Sequence, residues 1–317
     1  MKKSLIVLCV VIIICSLLTI SFLLNLPSAP SDGGPQTSAQ PTAQSTSTPQ
    51  TTPQQTYPQP TPIDTSQPID PAMQQAIQNA VTYLQPTDDA VGLLMLNVIY
   101  RQFGVAEFSN SLQRYDQILA DNPDPRTRVF RRIADYDNSI VQPDDFSAVT
   151  DQLDKITYPA LYADRRPLPN DYLLQLQAAM DTGFFYAQQS VTSGAYLLTH
   201  ALMATIFLHD NHSTLQLPEN FTSALYEETA MLIGDGSQVD DIELEAAAFL
   251  YQAGQGNLVP TVFVQNVLAA QNSDGGWSVT HGTDNSHWHP SVLALMLILH
   301  VAYPEPSYPP MLAWPTS

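Results

Sequence analysis

From residue 70 onward, apolar positions recur at the three- and four-residue spacing of amphipathic helices, and this pattern predicts an almost wholly helical domain. Asp70 caps a helix that carries Pro71 in its first turn and runs to Leu84, and Asp88 caps a second that runs to Phe103. The middle of the chain is less periodic, with helices expected at 109–119, 125–140 and 144–157, the first two parted by Asn122, Pro123, Asp124 and Pro125. Beyond Asn170 the pattern sharpens into 170–190, 193–208, 218–233, 239–253 and 260–271, followed by a last helix that contains Pro290 and the apolar run Val292 to Leu299. In each of these later pairs the second helix is the more apolar. A helix apolar on most sides belongs to an inner layer, and one with a single apolar stripe to an outer layer.

Between residues 260 and 300 the pattern is specific enough to name. Asp274, Gly275 and Gly276 end one helix, and Trp277 follows a glycine pair able to take positive φ, so its ring can fold back over the helix end. Leu268, Gln271, Asp274, Gly275, Gly276 and Trp277, followed by His289, Pro290 and an alanine- and leucine-rich helix, resemble the repeat of the α/α toroid superfamily. Squalene cyclases and the β subunits of protein prenyltransferases belong to that superfamily. The resemblance implies an α/α toroid; the helices counted above make about five hairpins, hence a partial barrel, and the alternative is an irregular helical bundle. The spacing agrees: 41 residues separate His200 from Asp241, and 46 separate Asp241 from His287. Because one toroid serves terpene cyclisation, lipid transfer and binding, the fold does not fix the reaction.

The first 69 residues read differently. Lys2 and Lys3 precede an uncharged run from Leu5 to Leu24, long enough to span a bilayer. Residues 1–26 are therefore expected to form a signal anchor in the cell membrane, crossed once, with the C-terminal domain extracellular; the alternative is secretion after cleavage near Ala29. Residues 27–69 are Pro, Thr, Ser and Gln with only Asp32 and Asp64 charged, which predicts a disordered linker ahead of a domain at 70–317. Both cysteines, Cys9 and Cys15, lie in the apolar run, so the domain has no disulfide to lean on. A formal charge of −19 and a pI near 4.3 argue against nucleic acid as a partner.

Candidate chemistry lies where polar residues interrupt the inner helices. The 193–208 helix carries Thr199 and His200; the 239–253 helix opens with Asp240, Asp241, Glu243 and Glu245; the last opens with His287, Trp288 and His289. If the inner helices lie parallel, their starts converge on one rim. Imidazole and carboxylate are suitable zinc ligands, so His200, Asp241, Glu243, Glu245, His287 and His289 are the metal candidates, with Thr199, Asp240 and Trp288 in the cavity wall. Prenyltransferases hold zinc in a similar way, but with a cysteine where this chain has Glu243, which puts thiol activation in doubt. A plainer reading makes these residues helix caps and solvated rim groups, since acids in a first turn suit the helix dipole whatever the function. Two functions follow: a membrane-tethered domain binding a small molecule or peptide in its central cavity, or a zinc-dependent enzyme. The DxDD and DDxxD patterns of terpene cyclases are absent, as are GxSxG, a phosphate loop and HExxH. A glycosidase acid pair could be drawn from Asp181, Asp241 and Glu245.

Overall fold

The computed structural model describes residues 61–313, and these form an all-α domain with one two-residue strand pair. The helices are α1 (Pro71–Leu84), α2 (Ala90–Phe103), α3 (Ser111–Asp121), α4 (Pro125–Phe130), α5 (Asp145–Ala148), α6 (Gln152–Leu161), α7 (Tyr172–Gln188), α8 (Thr192–Asp210), α9 (Phe221–Ile233), α10 (Asp241–Gln252), α11 (Thr261–Ala269) and α12 (Trp288–Ala302). Asp70 caps α1 as expected, accepting the N–H groups of Ala72 and Met73, whereas α2 is capped by Asp89 rather than Asp88.

The anchor expected at residues 5–24, the cleavage site near Ala29 and most of the linker lie outside the described residues. Among the described residues, no helix is long and apolar enough to cross a membrane. On that finding the single-pass, membrane-tethered extracellular placement and the membrane as a partner are corrected to this: no described helix supplies a span. The linker boundary also moves. Ile63 is buried and its N–H donates to the carbonyl of Gln102 at 2.7 Å, so the chain is already packed on the domain before residue 69.

The layering of the later helices follows their composition. From Pro290 to His300 every residue of α12 is buried, and α10 is buried almost throughout. Helix α12 packs against α1, α2 and α10, α10 against α8 and α9, and α8 against α6 and α7. At one end α8, α10 and α12 meet through residues near their amino termini; at the other, Gln102 at the end of α2 donates to Gln252 at the end of α10 at 2.9 Å. These helices therefore run parallel, with amino ends on one face and carboxyl ends on the opposite face. The carboxyl face is closed by a strap, residues 303–313. Arg101 and Gln102 donate to the carbonyls of Met311 and Pro309, both at 2.5 Å, and Asp210 accepts the N–H groups of Met311 and Leu312.

The middle of the domain departs from expectation. The helix expected over 125–140 stops at Phe130 and continues only as a 3₁₀ turn, Arg131–Ile133, and the one expected over 144–157 splits into α5 and α6. Ion pairs hold this irregular stretch in place of helical periodicity: Arg126 with Asp154, Arg128 with Asp145, and Arg131 with Asp116 and Asp135.

The glycine and tryptophan turn joins the last hairpin to the first helix. Gln271 donates to the carbonyls of Ala76 and Gly275, each at 2.9 Å, and accepts from the Asn79 amide at 3.2 Å, so one side chain spans the turn and α1. Gly275 holds φ +95°, and a Cβ there would stand 2.5 Å from the Asn79 carbonyl oxygen. Gly275→Ala is therefore expected to cost more than ~1 kcal/mol by urea denaturation. Gly282→Ala, also at positive φ but with open space around it, should cost less.

Candidate functional site

The candidates from α8, α10 and α12 meet at the amino-terminal face. Asp241 is the first residue of α10 and His289 the second of α12, and His289 Nδ1 lies 2.7 Å from Asp241 Oδ1. Because a carboxylate accepts only, Nδ1 carries the proton. The other ring nitrogen, Nε2, faces Glu245 Oε2 at 3.5 Å, one turn further along α10. Glu245 Oε1 accepts the hydroxyl of Thr199 and lies 3.4 Å from His200 Nδ1. Asp241 Oδ2 accepts the phenol of Tyr196. His200 Nδ1 also contacts the Tyr196 carbonyl at 2.9 Å; a carbonyl only accepts, so this nitrogen is the protonated one and Nε2 is the acceptor.

The result is two carboxylates set behind two imidazoles. The side chains of Asp241 and Glu245 are 8% and 2% exposed, those of His289 and His200 27% and 19%. Burial pulls the His289 pKa down, but the Asp241 hydrogen bond and the negative charges of Glu245, Asp241 and Asp89 outweigh it, and the net shift is upward. Burial and the adjoining Asp241 hold the Tyr196 phenol well above its usual range. Parallel helices supply a further reason for this arrangement, because the amino ends of α10 and α12 place the positive ends of two helix dipoles beside buried acids.

The other candidates do different work. Asp240 is the N-cap of α10: its N–H donates to Glu243 Oε2 at 2.6 Å in a capping box, and its Oδ1 accepts from the His281 N–H at 2.5 Å. Burial lifts the Glu243 carboxyl to about 7. His287 is exposed and accepts the His289 N–H on Nδ1 at 3.2 Å, capping α12. Trp288 packs over α2, its ring 3.1 Å from where a Cβ on Gly92 would stand, and edge-on to His289 with ring centres 5.2 Å apart. The cap reading thus holds for Asp240, Glu243 and His287, while His200, Asp241, Glu245 and His289 form one network.

The zinc expectation is corrected. Among the described residues no group of three or more His, Cys, Asp or Glu side chains is placed to hold a metal ion. The physical reason is visible in the bonding: Glu243 and His287 point to backbone N–H groups, and the lone pairs of Asp241 and Glu245 are directed at Tyr196, Thr199 and the imidazoles. Tyr196, absent from the sequence-derived site, joins it because it lies one helical turn before His200 on the same face of α8. Asp181 is exposed and bonded to Gln177 on α7, outside the network. No family model, curated protein or solved structure matches this chain, and the likeness to α/α toroids rests on the sequence pattern alone.

Proposed function

We propose that the amino-terminal face carries a metal-free acid–base site acting on a small neutral or cationic substrate. The observation that carries it is His289 held between Asp241 and Glu245 while His200 shares the second oxygen of Glu245. His200 takes a proton on Nε2, and the imidazolium that forms is stabilised through Nδ1 by Glu245, itself fixed by Thr199. His289, its two ring nitrogens turned to Asp241 and Glu245 and its pKa raised by them, supplies positive charge, and the proton that His200 has taken passes on to the leaving group. Proton transfer of this kind serves hydrolysis or elimination. Asp89, Asp240 and Asp241 around the site disfavour an anionic substrate.

The reading is tested with a panel of uncharged and cationic chromogenic esters, amides and glycosides. Turnover is expected to survive chelator, to fall ~10²- to 10⁴-fold in His200→Ala, and to change little in His287→Ala, whose side chain lies outside the network. The rate should decline on the alkaline side as His289 loses its proton, with that limb moved to lower pH in Asp241→Asn. Equal rates for His200→Ala and the parent protein would end the proposal.

A further inference from the structure

The opposite face holds a cavity that the acid–base network does not use. It has a volume of about 520 Å³, within the range of sites for small organic molecules, and lies where α8 and α10 end. One wall is apolar, from Leu208, Leu215 and Leu217, with the ring of Tyr226 beside them. The floor is the strap, through Tyr308, whose hydroxyl donates to the carbonyl of His300 at 3.1 Å. The polar side sets acceptors beside the imidazoles of His209 and His212. Two helices, α8 and α10, finish at the cavity, and their carboxyl ends carry partial negative charge. The 5% exposed side chain of Asp210 lines it as well.

Behind the lining the packing is close. Gln252, in the wall, accepts from Gln102, and Tyr308, in the floor, packs edge-on against His300 with ring centres 4.2 Å apart. Gln102 Oε1 and His300 Nε2 are both fully buried with no hydrogen-bond partner. Since His300 Nδ1 donates to the Met296 carbonyl at 2.7 Å, its Nε2 is an acceptor, as is the amide oxygen.

We infer that this cavity is a binding site for a small organic amine with an aromatic or other apolar body, its ammonium group toward Asp210 and the helix ends and its body against Leu215, Leu217 and Tyr226. The site is separate from the acid–base network and does not depend on it.

The probe is tryptamine, titrated calorimetrically into the full-length chain, with indole-3-acetate as an anion of the same ring system. Tryptamine is expected to bind with a submillimolar Kd and indole-3-acetate at least tenfold more weakly. Thr222→Trp, which fills the cavity from α9, should abolish tryptamine binding. Leu215→Lys, which sets a like charge in the wall, should weaken tryptamine at least tenfold and improve indole-3-acetate. His289→Ala should leave tryptamine binding within twofold, which excludes the acidic face as its location. Failure of tryptamine to bind, equal affinity for the two probes, or loss of binding in His289→Ala alone would each overturn the inference.

Discussion

Replacing Trp277 by alanine should cost the domain about 3–5 kcal/mol, the range for emptying a fully enclosed large aromatic site. The indole is 1% exposed, its Nε1–H donates to the Val267 carbonyl at 2.7 Å near the end of α11, and its backbone N–H donates to Ser291 Oγ on α12 at 2.8 Å. One residue thus fills the space between the two helices of the last hairpin and satisfies a carbonyl that the end of α11 leaves open. Thermal unfolding followed by circular dichroism should show a midpoint lowered by roughly 10 °C. Trp277→Phe separates the two contributions. It keeps most of the volume but leaves the Val267 oxygen without its donor, and should lose about 1–3 kcal/mol. A Trp277→Ala protein as stable as the parent would show that the turn is not part of the packed core.

The second large effect concerns acid. His300 is completely buried, set edge-on to Phe103 and Tyr308, and burial drives its pKa from the ordinary 6.5 down to about 4. The unfolded chain therefore binds a proton that the folded chain refuses at any pH between those values. Its contribution to stability is complete above about pH 6.5 and is lost as pH falls toward 4; at ~1.4 kcal/mol for each pH unit the whole amounts to roughly 3 kcal/mol. His300→Phe keeps the ring and removes the titration, so the fall in stability between pH 7.5 and pH 4.5, measured in urea, should shrink by about 2–3 kcal/mol relative to the parent. His289 works in the opposite sense. Its pKa is raised, so its contribution is full below the ordinary value and fades as pH rises through the folded one.

How much of this could be read from the sequence depends on what each residue needs to be recognised. Gly275, Gly276 and Trp277 announced a turn because few other residues tolerate a φ of +95° beside a backbone carbonyl, and the expected plug is where the ring lies. The inner helices were legible from their apolar runs. His200, Asp241 and His289 were legible as polar interruptions of those runs, and parallel packing brings them together. Their bonding was not legible, because whether an acid faces a metal or a hydroxyl depends on Tyr196 and Thr199 from another helix. Beyond Phe130 the helix expected as far as residue 140 gives way to a single 3₁₀ turn, since ion pairs across 15 or 17 residues leave no period in the sequence. His300 stands at the end of an apolar run, where nothing nearby in sequence reveals that Phe103 will cover it.

Gln102 sits where the two ends of the described domain meet. Its carbonyl receives Ile63 and its amide holds Pro309, so the segment entering the domain and the segment leaving it are moored to the same residue. Asp89, at the other tip of the same helix, marks the face with the two imidazoles, roughly 21 Å away for 14 residues of α2 at 1.5 Å each. Both ends of the described domain consequently meet the pole opposite the one where His200 and His289 lie.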